Sequence, residues 1–302
     1  MDTKTKKDLD QIREAEKKKM KKAARKRFIK AMFSRRIVIV GAIGFVIILL
    51  AAIFAPVLTP YEPDTMDADC QLALPSAQHL LGTDNFGRDI FTRLLYGARI
   101  SLIIGVFAVL LAAVIGIALG MCAAYFSGIA DIIIMRVMET LNSIPNLMLS
   151  LALVAVFGHS MSALAIILAI GTVPTYVRMT RAMTLRVKNS DYVKAAQMQG
   201  ASSVFIMVRH ILPNIMSPNI VMMMGNVGGT ILSEASLSFL GVGISIPTPS
   251  WGSMVSQGRG YLLDNPYISI VPGICVAVLV ICLNMIGDGL RDAMDPRLSG
   301  ES

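Results

Sequence analysis

The residues able to do chemistry are few and far apart. His79, His159 and His210 fall in three separate stretches, with no metal-ligand spacing among them. Cys275 and Cys282 are seven apart on one helical face, a spacing that suits helix contact. Cys70 is the one cysteine in its polar stretch, so no intrachain disulfide is expected there. No G-x-x-x-x-G-K-[ST] run exists to cradle nucleotide phosphates, and no G-x-S-x-G elbow exists to present a nucleophile. These absences argue against an enzyme.

What remains is a set of polar groups set in apolar runs. Arg136 and Glu139 are three apart and can face each other on a helix. Glu234 stands alone in a long uncharged run. An ionisable group in such a place is a functional candidate; it can equally satisfy a bond between helices, and residue type leaves both open. Asn142, Ser143, Asn146, Asn226 and Glu234 are polar positions in these runs that could face a cavity. Gly225, Gly228 and Gly229 suit close helix packing. An ion-driven carrier needs a polar relay near mid-bilayer, and these charges lie off-centre, so the energy source is expected outside the chain.

The elements that must position these groups follow from composition. Hydrophobic residues make up 54% and charged residues 16% of 302, against about 25% charged in a soluble domain. An all-α integral membrane protein is expected, because lipid offers backbone groups no water. About 20 apolar residues cross the hydrocarbon. The runs of that kind are Ile37–Leu58, Ile100–Phe126, Ile132–Phe157, Met161–Val177, Pro218–Leu240 and Ile268–Ile286.

Orientation follows from basic residues. With the N-terminus inside, the inner segments hold 24 Lys/Arg and the outer ones four (Arg88, Arg93, Arg99 and Arg259). Both termini are therefore expected to be cytoplasmic. The resulting division is a basic arm 1–36, a first span 37–58, an outer loop 59–99, a five-helix core 100–288 with an inner loop 178–216, and a tail 289–302.

The arm accounts for the net charge. Residues 1–36 carry +10 and the rest −2. Such an arm can bind nucleic acid or anionic lipid. Because it abuts a long apolar run, it reads instead as a solvated topogenic segment, with membrane lipid as its neighbour and no nucleic acid. No cleavable leader is expected.

The inner loop holds the most information. Residues 190–214 read SDYVKAAQMQGASSVFIMVRHILPN. Ser190 or Asp191 can cap one short helix and Ser202 or Ser203 a second. Gly200 permits a left-handed stop between them, and Pro213 is expected to end the second helix. The resulting knob is partly apolar, which calls for a protein partner or for burial on the chain's own spans. Physics alone does not choose.

The spacing Lys194-Ala195-Ala196, three residues, Gly200, eleven residues, Leu212-Pro213 resembles the "EAA" loop of ATP-binding-cassette (ABC) importer permeases. Three further stretches, HLLGTDNFGRDIFTRLLYGARISL (79–102), EASLSFLGVGISIPTPSWGSM (234–254) and LNMIGDGLRDAMDPRL (283–298), resemble the dipeptide/oligopeptide/nickel group, specifically its "C"-type subunit. The likeness covers about residues 30–298. One departure stands out. The family pattern has Glu where this chain has Lys194, which reverses the charge on the docking surface.

The resemblance implies the type I ABC importer permease architecture of six transmembrane helices in a bacterial or archaeal cell membrane. It implies a heterodimer with a homologous second permease, two cytoplasmic ATPase subunits and an extracytoplasmic substrate-binding protein. No cofactor is expected on this chain; ATP and Mg would be used by the ATPases. The coupling loop would comprise Tyr192, Lys194, Ala195, Ala196, Gly200, Leu212 and Pro213. Asp64, Asp67, Asp69 and Trp251 would meet the binding protein, with Trp251 equally suited to a buried or interfacial position. Dipeptides or oligopeptides are the first cargo reading. Nickel or another small solute is the second, and a stand-alone secondary carrier is a third.

Overall fold

The computed structural model describes residues 35–294, together with Lys19, Ile29 and residues 31–33. Most of the basic arm and the end of the tail lie outside the described residues. The principal helices are α1 (Arg36–Ile53), α2 (Ile90–Phe126), α3 (Gly128–Ser143), α4 (Asn146–Phe157), α5 (Met161–Lys188), α6 (Asp191–Met198), α7 (Ser203–Phe239), α8 (Trp251–Gly258) and α9 (Tyr267–Met294). Among the described residues there is no strand, only an isolated bridge between Thr83 and Asp89. Helices α1, α2, α5, α7 and α9 are each long and apolar enough to cross a membrane. The pair α3 and α4 is apolar and long enough only when taken together, and it is bent by 94°, so there are five spanning helices, or six where this pair counts as one.

That bend corrects the single helix expected over Ile132–Phe157. Ile144 is extended (φ −90°, ψ 127°), as the residue before a proline prefers to be, and Pro145 then starts α4. Side-chain hydroxyls bond back to carbonyls in the last turns of α3, one of them the freed Thr140 carbonyl. Ser143 Oγ donates to Thr140 O at 2.7 Å, and Thr140 Oγ to Arg136 O at 2.9 Å.

Other helices outrun their apolar runs. Helix α2 begins at Ile90, ten residues before the hydrophobic stretch, so the outer loop is shorter than 59–99. Asp89 caps it, accepting from Thr92 N at 2.7 Å. At 1.5 Å per residue its 37 residues span roughly 55 Å. Helices α5 and α9 run on to Lys188 and Met294. Hydropathy marks the depth of lipid, whereas the helix ends where capping or glycine ends it.

Helix α2 is the central post and packs most extensively against α5. Gly116 and Gly120 make this possible. A Cβ on Gly116 would lie 2.4 Å from Tyr176 Cβ, and one on Gly120 would lie 2.6 Å from the Val177 carbonyl oxygen. Helix α1 packs against α9 and α2, and most of its apolar side chains remain exposed, as a lipid-facing helix requires. The glycines singled out on α7 contribute less. Nothing lies within 4 Å of a Cβ on Gly225 or Gly229, and only Gly228 meets a neighbour, Val280, at 3.4 Å.

Candidate coupling and translocation surfaces

At the end expected to be cytoplasmic, α6 stops in a complete Schellman turn. Gly200 has φ +76°. Gly200 N–H donates to Gln197 O and Ala201 N–H to Ala196 O, at 3.0 and 3.1 Å. Ser202 Oγ then caps the next helix, accepting from Phe205 N at 3.3 Å. This second helix does not end at Pro213, as expected. It widens into a π turn over Met207–Ile211 and continues as the spanning part of α7. The wider turn leaves room for the Pro213 ring, which in a regular α-turn would clash with the carbonyl four residues back. The knob is thus continuous with a membrane-spanning helix.

Val193, Ile206 and Ile211 are buried and seat the knob on its own body. Met198 (88% exposed), Val204, Phe205, Val208 and Tyr192 point outward. Lys194, Ala195, Gly200 and Pro213 are exposed, and Ala196 and Leu212 are half-buried. One face of the knob is therefore packed on the chain's own body, and the other carries exposed apolar side chains. Lys194 has no ion pair among the described residues.

Two interactions fix the knob's base, and sequence reasoning missed both. Lys188 Nζ donates to Tyr125 O (2.6 Å), Ser127 Oγ (3.1 Å) and Ala124 O (3.2 Å), closing the C-terminal end of α2. Arg181 grips Asp131 through two bonds of 2.6 Å, tying α5 to α3. The only signal was the basic residues themselves, which had been read for orientation alone.

The polar positions on the spans separate into two groups. Asn142, Ser143 and Asn146 lie together, exposed, at the elbow between α3 and α4. Arg178 Nη2 donates to Asn142 Oδ1 at 3.2 Å. Gly171 clears space for Asn146, since a Cβ there would fall 1.9 Å from Asn146 Oδ1. Asn226 is part-buried and donates to Tyr176 Oη at 3.0 Å, joining α7 to α5. Glu234 is wholly buried and faces no open path. Its Oε1 accepts from Ser238 Oγ (2.8 Å) and Ser250 Oγ (3.0 Å), which fastens the start of α8 to α7.

At the opposite end of the helices, two buried arginines bind the loops into one cap. Arg88 donates to Asp84 Oδ2 (2.7 Å) and to Gln257 Oε1 on α8 (2.8 Å). Arg93 donates to Pro63 O (2.7 Å), Asp64 Oδ1 (3.3 Å) and Pro247 O (3.3 Å). Asp64, Asp67 and Asp69 are exposed. Trp251 is not. It is buried against α2, and its Nε1 donates to Leu94 O at 2.8 Å, so it serves the cap's interior rather than the outer surface. The Cys70 thiol is held above its ordinary range by its hydrogen bond to Asp67, then by loss of water and by the charges of Asp67 and Asp69.

The model of the binding-protein-dependent transport system inner membrane component family matches residues 114–300. A second model, the N-terminal transmembrane domain of oligopeptide transport permease C, matches residues 24–75. The chain belongs to the binding-protein-dependent transport permeases.

Relatives within this family are similar over most of their length. A glutathione transport system permease protein of Pectobacterium atrosepticum is 41% identical over 268 residues, 88% of this chain and 89% of that one. A dipeptide transport system permease protein of Alkalihalophilus pseudofirmus is 40% identical over 269 residues, 89% of this chain and 88% of that one. Among solved structures, an inward-facing form of the MetNI methionine ABC transporter contains a chain matched at TM-score 0.55 and 18% identity. The match covers 67% of this chain and 96% of that one, and it shows the shared permease fold. This permease is a membrane transport component of an ABC importer rather than an enzyme.

Proposed function

We propose that the chain is one half of a heterodimeric permease for short peptides. Its companions are a homologous second permease, two cytoplasmic ATPases that use ATP and Mg, and an extracytoplasmic binding protein. It sits in the bacterial inner membrane with both termini inside. The peptide cargo rests on the names of its relatives.

The carrying observation is the knob. A rigid, Schellman-closed hairpin shows an apolar outer face and runs without a break into a spanning helix. An ATPase groove that binds this face differently in its open and closed states moves α7 as a lever. The elbow residues Asn142, Ser143 and Asn146 then line the path. Asn226 braces it and Glu234 anchors the outer cap beside it. Asp64, Asp67 and Asp69 meet the binding protein.

Gly200 offers the test. Nothing lies within 4 Å of a Cβ there, so only its positive φ resists substitution. In the reconstituted importer, Gly200→Asn should keep substrate-stimulated ATPase near wild type, because Asn tolerates the left-handed region. Gly200→Val should lower that stimulation severalfold with assembly intact. Equal stimulation in both would contradict the role given to the knob.

A further inference from the structure

Beside the elbow lies a cavity of about 190 Å³ lined by Asn146, Leu147 and Ser150 of α4 and by Ser233, Ser236 and Leu237 of α7. We propose that it holds one peptide unit of the cargo in transit, an inference that rests on the peptide reading above.

The two walls differ in hydrogen-bonding character. The α4 wall donates. No side chain caps the start of α4; Leu149 N–H donates to Pro145 O at 3.0 Å, and the N–H groups of Asn146, Leu147 and Met148 have no such cap. Ser150 is 2% exposed, makes no hydrogen bond, and turns its hydroxyl to the cavity. Its hydroxyl proton is free to be donated to a ligand carbonyl entering the cavity. The Asn146 amide adds further donors. The helix start also favours negative charge, including the partial charge of a carbonyl oxygen.

The α7 wall accepts. Ser233 Oγ already donates to Gly229 O at 2.9 Å and Ser236 Oγ to Leu232 O at 2.8 Å. Their protons are spent, and their lone pairs remain for an incoming N–H. Donors facing acceptors across one cavity match the C=O and N–H of an amide. The site carries no formal charge, so it suits the group that all short peptides share rather than any one terminus. The cavity far exceeds the ~30 Å³ share of one water. It adjoins an apolar pocket of about 400 Å³, with Leu147 and Ser236 lining both, which would take a neighbouring side chain. Both walls lie on moving parts, the broken span and the lever helix, so the site can form and dissolve with each cycle.

The test compares a dipeptide with its ester analogue, in which oxygen replaces the amide N–H. Uptake is measured in proteoliposomes holding the whole importer, with one binding protein used throughout. Wild type should favour the amide. Ser236→Ala should lower amide kcat/KM by about threefold to tenfold and leave the ester unchanged, so the preference shrinks. Ser150→Ala should lower both, since both keep the carbonyl. Ser236→Thr, which retains the hydroxyl, should restore the preference and exclude a folding defect. If wild type takes up peptides and the serine variants keep its rates and its amide preference, the site is overturned while the peptide reading stands. If an importer with working ATPase takes up no peptide, the peptide reading fails and the site with it.

Discussion

Of the two roles its residue type left open, Glu234 fills that of a bond between helices. Its carboxylate is surrounded by serines, and Ser250, which it holds, is also the cap of α8. Removing it leaves two buried hydroxyls without their acceptor, each such loss costing about 1–3 kcal/mol. Glu234→Ala should therefore lower the thermal stability of the solubilised complex clearly, while Glu234→Gln, whose amide oxygen accepts the same bonds, should stay near wild type. Equal stability in thermal unfolding would contradict the anchoring role. The isolated acid in an apolar run was legible in the sequence; its serine partners were not, because Ser250 is sixteen residues away and meets it only through the turn into α8.

Between elements, the decisive feature is how closely backbones approach. Along α2, a Cβ at Gly120 would strike backbone on α5, which cannot yield as a side-chain tip can. Gly120→Ala should cost about 1–3 kcal/mol and reduce the yield of folded protein. Gly225→Ala, with nothing in reach, should be neutral. The comparison is read from size-exclusion yield and melting temperature, and equal behaviour would overturn the view that α2 and α5 form the post of the fold. The order of the apolar helices was legible because lipid demands long apolar runs. Where α2 begins was not, since Asp89 sets that start by capping whatever the hydropathy. The break at Pro145 escaped notice because Pro174, Pro218 and Pro272 sit inside intact helices. What distinguishes Pro145 is the local arrangement, an extended Ile144 with Ser143 taking up the freed Thr140 carbonyl.

For the whole molecule, Cys70 reports direction. It lies in the proposed outer cap, whereas Cys122, Cys275 and Cys282 sit in spans. A membrane-impermeant maleimide should label Cys70 from outside intact cells. Its raised pKa means less thiolate at neutral pH than in free cysteine, so labelling should speed up as pH rises. Asp67→Asn should move that rise to lower pH. Labelling only after the cells are opened would reverse the orientation drawn from the basic residues. The family motifs made the architecture legible across nearly the full chain. They did not reveal the cap, whose two arginines join segments more than 150 residues apart.

In the proposed importer, force enters through the knob and this polypeptide supplies none of its own. Purified chain, alone and with its second permease, ATPases and binding protein, should be placed in liposomes and radiolabelled dipeptide uptake followed with and without ATP. Accumulation against a gradient should require the full set and ATP. Accumulation by the chain alone, in an imposed proton or sodium gradient, would contradict the account.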